Sequence, residues 1–118
     1  TANDYFAAVR LSRQEARDSA VTMLQEAISY SDDETQAMSS HDTLESIVEV
    51  ALCEAQVESL VIAKGYTDCV AYFGDDGVSI AVAAPEGGLE KDDVAVIADI
   101  VMTQSDFTID QIRVIEVL

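Results

Sequence analysis

The chain has 118 residues, 49% hydrophobic and 25% charged, the balance of one folded domain and not of a disordered segment. Twenty-three carboxylates against six cations leave a formal net charge of -17, which repels a nucleic-acid backbone and an anionic membrane surface and argues against both as partners. No apolar run approaches the roughly 18–20 residues that cross a bilayer, and Thr1 leads into a polar helix start with no signal-peptide pattern.

A first helix is expected from Asn3 to Tyr30, with Phe6, Val9, Ala16, Ala20, Met23 and Ala27 recurring at helical steps and Arg13 as the polar interruption. "SDDET" ends it, and a short helical turn follows through Gln36 to Met38. Asp42 and Glu45 form a D-x-x-E capping signal for a second long helix, which stops at Gly65, a left-handed cap after Lys64. The period then changes to two. "YTDCVAYF" and "VSIAVAA" flank the turn "GDDG" (Gly74 to Gly77), a hairpin in which Val78, Ile80 and Val82 alternate with Ser79, Ala81 and Ala83. Pro85, Gly87 and Gly88 close it. A last helix from Leu89 to Gln104 carries Val94, Ile97, Ala98 and Val101 on one face, and "IDQIRVIEVL" reads as a final strand.

The order predicts an α+β fold: N-terminal long helices, then β-β-α-β, with a three-stranded sheet covered on one face by helices. Residues 1–40 read as an N-terminal helical segment and 41–118 as the α-β-β-α-β domain, together one structural unit. The last strand pairs with the hairpin's first strand or extends its second, and the first arrangement is the expected one. Either leaves two sheet edges able to accept a further strand.

Residues that carry chemistry are sparse. His41 sits at a helix start with no nucleophile in reach, Cys53 and Cys69 lack the close pairing of a metal motif, and both thiols are expected to be free and buried. "GDDG" lacks the ligand spacing of a calcium loop and no glycine-rich phosphate motif is present. Asp75-Asp76 and Asp92-Asp93 fit a turn and a first helical turn. The chain does not read as an enzyme, and no cofactor or metal is expected.

The distinctive segment is "YFAAVRLSRQEAR", Tyr5 to Arg17, which holds three of the four arginines. Arg10, Arg13 and Arg17 share one helix face, and none has an acid at the three- or four-residue steps where a solvated cation usually finds one. Two of their mutual spacings are repulsive. Their carboxylates must come from the second helix (Glu45, Glu49, Glu54, Glu58) or from another protein. Residues 1–31 carry a net charge of -1 and residues 32–118 a net of -16, so a near-neutral helix with a basic face adjoins an acidic body. The candidate protein-binding residues are therefore Arg10, Arg13 and Arg17, with Tyr5 and Phe6 as apolar anchors. Contact between this face and a neighbouring copy's acidic body would build a ring.

These stretches resemble a known family. "YFAAVRLSRQEARDSA", "ESLVIAKGYTDCVAYFGDDGVSIAVAA", "DVAVIADIVMTQS" and "IRVIEVL" are similar, in order, to segments of the stage III sporulation protein AH family. Arg10, Arg13, Arg17, Tyr5, Phe6, Lys64, Gly65, Tyr66 and Asp68 fall on matching positions, whereas Glu90 stands where Ser or Thr would be the usual N-cap. The resemblance implies a ring-building-motif fold with no catalytic residues. It also implies an extracytoplasmic domain in the intermembrane space around the forespore, held by an N-terminal anchor in the mother-cell membrane. The implied partner is protein Q of stage II sporulation, in a channel complex joining the two cells. From the residues alone, a small α+β ligand-binding or regulatory domain is the alternative.

Overall fold

The computed structural model describes all residues from Thr1 to Leu118. Helices α1 (Ala2–Tyr30) and α2 (Glu34–Ala63) are followed by strands β1 (Cys69–Phe73) and β2 (Val78–Ala83). Helix α3 (Lys91–Gln104), a 3-10 turn at Ile109–Gln111 and strand β3 (Ile112–Val117) complete the chain. Thr1 caps α1, its hydroxyl accepting from the Asp4 N–H. Helix α2 begins well before the expected Asp42. Asp33 is its N-cap, with the carboxylate accepting from the Thr35 N–H at 2.9 Å, and no Gly or Pro interrupts residues 34–63. The Asp42 signal goes unused because the helix already runs through it, and the Ser46 hydroxyl donates to the Asp42 carbonyl. Position 40, the expected segment boundary, therefore lies inside α2. The helix stops where the sequence says it should: Gly65 has φ +111°, a conformation that side chains strongly disfavour.

The strand order is β1-β2-β3, with β1 and β2 antiparallel and β2 and β3 parallel. The expected pairing of β3 with β1 is thus corrected. Two physical reasons favour β2 as the central strand. Five of its six residues are buried, so it is apolar on both faces as a middle strand should be. The outer edge of β1, moreover, is already occupied by side chains from α1 and α2. The α3 crossover supplies the length that a parallel connection requires.

The core lies mainly on one face of the sheet. Val57 and Val61 of α2 and Ile97, Ile100 and Val101 of α3 pack on Cys69, Ala71, Val78, Ile80 and Val82. The opposite face carries a smaller cluster, in which Phe6 near the start of α1 covers Val70, Ala81 and Ala83. Phe6 is 1% exposed. Both cysteines are free. Cys69 is buried, and desolvation with the nearby Glu58 and Asp68 pushes its thiol up to about 12, while Cys53 is half-buried. Tyr66 ties the α2 end to α3 through a 2.5 Å bond from its hydroxyl to Asp93, which also accepts from the Glu90 N–H at 2.8 Å. That second bond braces the start of α3 despite its unusual N-cap residue. No helix is long and apolar enough to cross a membrane.

The hairpin turn has one close approach. A Cβ at Gly77 would sit 2.5 Å from the Gln111 carbonyl oxygen, whereas one at Gly74 would find its nearest neighbour at 3.6 Å. Gly77→Ala is expected to destabilise the domain by about 1–3 kcal/mol, since backbone must move to admit the methyl group. Gly74→Ala should stay near wild type. Urea denaturation of the two variants side by side checks this, and equal loss in both would contradict it.

Candidate protein-binding site

The arginine face of α1 lies against the outer edge of β1. The backbone of Val70 and Tyr72 turns toward β2, so Cys69, Ala71 and Phe73 present their N–H and C=O groups outward. Side chains meet these groups in sequence. The Cys69 N–H donates to Asp68 Oδ1 at 2.9 Å, and the Cys69 carbonyl accepts from Arg10 Nη2 at 3.0 Å. The Ala71 N–H donates to Glu58 Oε2 at 2.8 Å, and the Ala71 carbonyl accepts from Arg13 Nη1 at 2.6 Å. The Phe73 N–H donates to Glu54 Oε2 at 2.9 Å.

The same side chains hold one another. Arg10 pairs with Asp68, Arg13 with Glu58 at 2.8 Å and Glu54 at 3.6 Å, and Arg17 with Glu54 at 2.7 Å. Glu54 is 1% exposed, yet both of its oxygens are engaged: Oε1 by Arg17 and Oε2 by the Phe73 N–H. A buried carboxylate needs this much compensation. The Arg10 guanidinium holds the Asp68 carboxyl below its ordinary range, and the hydrogen bond that Arg10 donates to Asp68 raises Arg10 in turn.

The carboxylates that the α1 arginines require are therefore the domain's own. Glu54 and Glu58 are among those expected from the second helix. Glu45 and Glu49 are not, and Glu45 lies instead 3.6 Å from His41. Asp68 was not among the expected acids. The cue for Glu54 and Glu58 was available, because both sit beside Val57 and Val61 on the buried stripe of α2, where an acid demands a cation. The electrostatic reason for a partner to dock on this face is thereby removed. Phe6 anchors the core in place of a partner, its ring 5.7 Å edge-on from Tyr5 and 5.8 Å from the Arg10 guanidinium. Surface remains at Tyr5 and at the outer part of Arg10, each 40% exposed.

The two sheet edges now differ. No side chain bonds to the backbone of β3 on its far side. The Val117 carbonyl accepts from the Ala84 N–H on the β2 side, so period two turns Ile112, Val114 and Glu116 outward. The Ile112 N–H is spent on Ile109 in the preceding turn, which leaves Val114 as the central outward group. A cleft of about 350 Å³ between α1 and α2 is lined in part by Arg13, Arg17, Thr43 and Ser46. The arginines are committed to Glu54 and Glu58, and the two hydroxyls to the carbonyls of Ser39 and Asp42.

Two substitutions test the pairing. Glu54→Ala leaves Arg17 and the Phe73 N–H without their acceptor and should cost about 3–5 kcal/mol in urea unfolding, as for other broken buried pairs. Asp68→Asn should cost about 1–3 kcal/mol at neutral pH. A depressed folded-state value means that the Asp68 contribution is present above the unfolded carboxyl value and lost as pH falls through the folded one. The gap between Asp68→Asn and wild type should accordingly close below about pH 4, and a gap constant with pH would contradict the assignment.

Comparison with known proteins bears on what such a domain does. No curated protein sequence matches the chain. Among solved structures it is similar to a chain of the SpoIIQ–SpoIIIAH pore-forming complex, at 22% identity and a TM-score of 0.81 over 95% of this chain and 96% of that one. It is also similar to EscJ, a type III secretion system protein of enteropathogenic E. coli, at 22% identity and a TM-score of 0.54 over 64% of this chain and 50% of that one. The two likenesses establish an α+β fold of the ring-building kind. The family model of SpoIIIAH-like proteins matches residues 1–114, nearly the whole length, and the chain belongs to the SpoIIIAH-like protein family.

Proposed function

We propose that this chain is a non-enzymatic contact domain of a sporulation channel between mother cell and forespore. Its partner is a SpoIIQ-like forespore membrane protein. The domain works in the intermembrane space, held to the mother-cell membrane by a segment outside these residues. The observation that carries this reading is membership of the SpoIIIAH-like family, together with the likeness, over nearly its whole length, to one chain of the SpoIIQ–SpoIIIAH complex. The shared fold with EscJ supports assembly of several copies into a ring.

The contact itself follows from chemistry. With Arg10, Arg13 and Arg17 neutralised internally, α1 offers a partner Tyr5 and the rim of Arg10. The open edge of β3 offers unpaired backbone groups. A partner strand added there gains main-chain hydrogen bonds that do not depend on long-range attraction, which suits an acidic domain. On this reading β3 is the principal contact and Tyr5 a flanking one.

Mixing the domain with the soluble part of a SpoIIQ-like protein and following mass by light scattering after size exclusion tests the proposal. A complex of higher mass is expected. Val114→Pro, which deletes the central outward N–H of β3, should abolish it, whereas Arg17→Lys, which keeps a cation beside the buried Glu54, should leave it within a few-fold of wild type. Absence of any complex with wild-type protein would refute the partner, and a complex indifferent to Val114→Pro would refute the edge.

A further inference from the structure

We infer that the side-chain ladder on β1 is a stand-in for a fourth strand. It closes one edge of the sheet so that strand addition, whether by a partner or by another copy, is confined to β3. The chemistry matches that of a strand group for group. Carboxylates of Asp68, Glu58 and Glu54 accept from the outward N–H groups of Cys69, Ala71 and Phe73, and guanidinium groups of Arg10 and Arg13 donate to the outward carbonyls of Cys69 and Ala71. Five outward backbone groups of β1 thus have partners, as they would beside a real strand. Arg17 completes the row from below by holding Glu54.

The spacing makes the substitution possible. Outward groups on a strand recur every two residues, roughly 6.6–6.8 Å. Arginines three and four residues apart on a helix recur at roughly 4.5–6 Å, and glutamates four apart at about 6 Å. Long side chains absorb the difference. Helix α1 runs along β1 in the same sense, Arg10 reaching Cys69 and Arg13 reaching Ala71, while α2 runs against it, Glu58 reaching Ala71 and Glu54 reaching Phe73.

The consequence concerns self-association. A sheet with two open edges grows end to end into a fibre, whereas one with a single open edge stops at a pair. The ladder makes this sheet single-ended. The inference does not depend on the proposed partner, since it concerns the chain alone.

The experiment uses the isolated chain. In Arg13→Met/Glu58→Met both members of the central pair become apolar residues of similar length. Such paired replacement is often close to neutral for folding, while the Ala71 N–H and carbonyl lose their partners. Light scattering and the intermolecular β-sheet infrared band are followed against protein concentration, with circular dichroism confirming the fold. Wild type should not exceed a dimer. The double variant should grow into species far larger than a dimer with a rising intermolecular β signal, and adding Val114→Pro should stop that growth, because elongation needs β1 on one copy and β3 on the next. A folded double variant that stays at or below a dimer overturns the inference, as does growth indifferent to Val114→Pro or Val114→Pro-sensitive polymers of wild type. Should the double variant fail to fold, Arg10→Met/Asp68→Leu opens the other end of the same ladder and is judged by the same outcomes.

Discussion

Two helices and an edge strand are zipped together here by alternating guanidinium and carboxylate groups, and most of the architecture follows from that contact. Because the ladder occupies the outer side of β1, the last strand has only β2 to join, and β2 becomes the central strand. Because Arg10 and Arg13 are held to successive outward carbonyls of β1, α1 is fixed in direction along the sheet, which brings Phe6 under Val70, Ala81 and Ala83. Removing a single member would strand several others, since Glu54 serves Arg13, Arg17 and the Phe73 N–H at once. Coupling of this kind makes the ladder more than the sum of its pairs.

Much of this was legible in the sequence, though not its logic. The helices, the hairpin, the Gly65 stop and the final strand all follow from periodicity and turn chemistry. The clustered arginines without local acids correctly signalled a missing set of carboxylates. What the local pattern did not show is where those carboxylates lie, because the answer is a tertiary one: Asp68 is 58 residues from Arg10 and Glu54 is 37 from Arg17. Nor does a sequence display outward backbone groups, and here they are half of the recognition.

The two misreadings have the same character. In "VSIAVA" the alternation of Val and Ile with Ser and Ala marks a hairpin strand but not its place in the sheet. Alanine is too small to declare itself, and Ala81 and Ala83 turn out to be covered by Phe6. The strand was therefore apolar on both sides, the mark of a central position, and read that way it argues for β2 in the middle. At Asp42 a sound capping pattern lost to an earlier cap at Asp33, because a helix once started needs a reason to stop and residues 34–41 contain none. Local signals propose boundaries, and the chain uses only those that nothing pre-empts.

A single-ended sheet also bears on how a ring would be built from such domains. Closed rings need two different patches on each copy, one meeting the other around the circle. Edge-to-edge strand pairing cannot supply both when β1 is sealed, so at least one patch must be a helix or a sheet face. Charge narrows the choice further. With the three α1 arginines committed internally, Lys64, Lys91 and Arg113 are the cations left without an acid partner on a chain of net charge -17. Copies therefore repel at long range, and association among them must rest on short-range packing, on screening by salt, or on a tether that raises their local concentration. On the proposed reading, attachment to a membrane would provide the last of these, and ring formation would then depend on the anchoring surface more than on the domain in free solution.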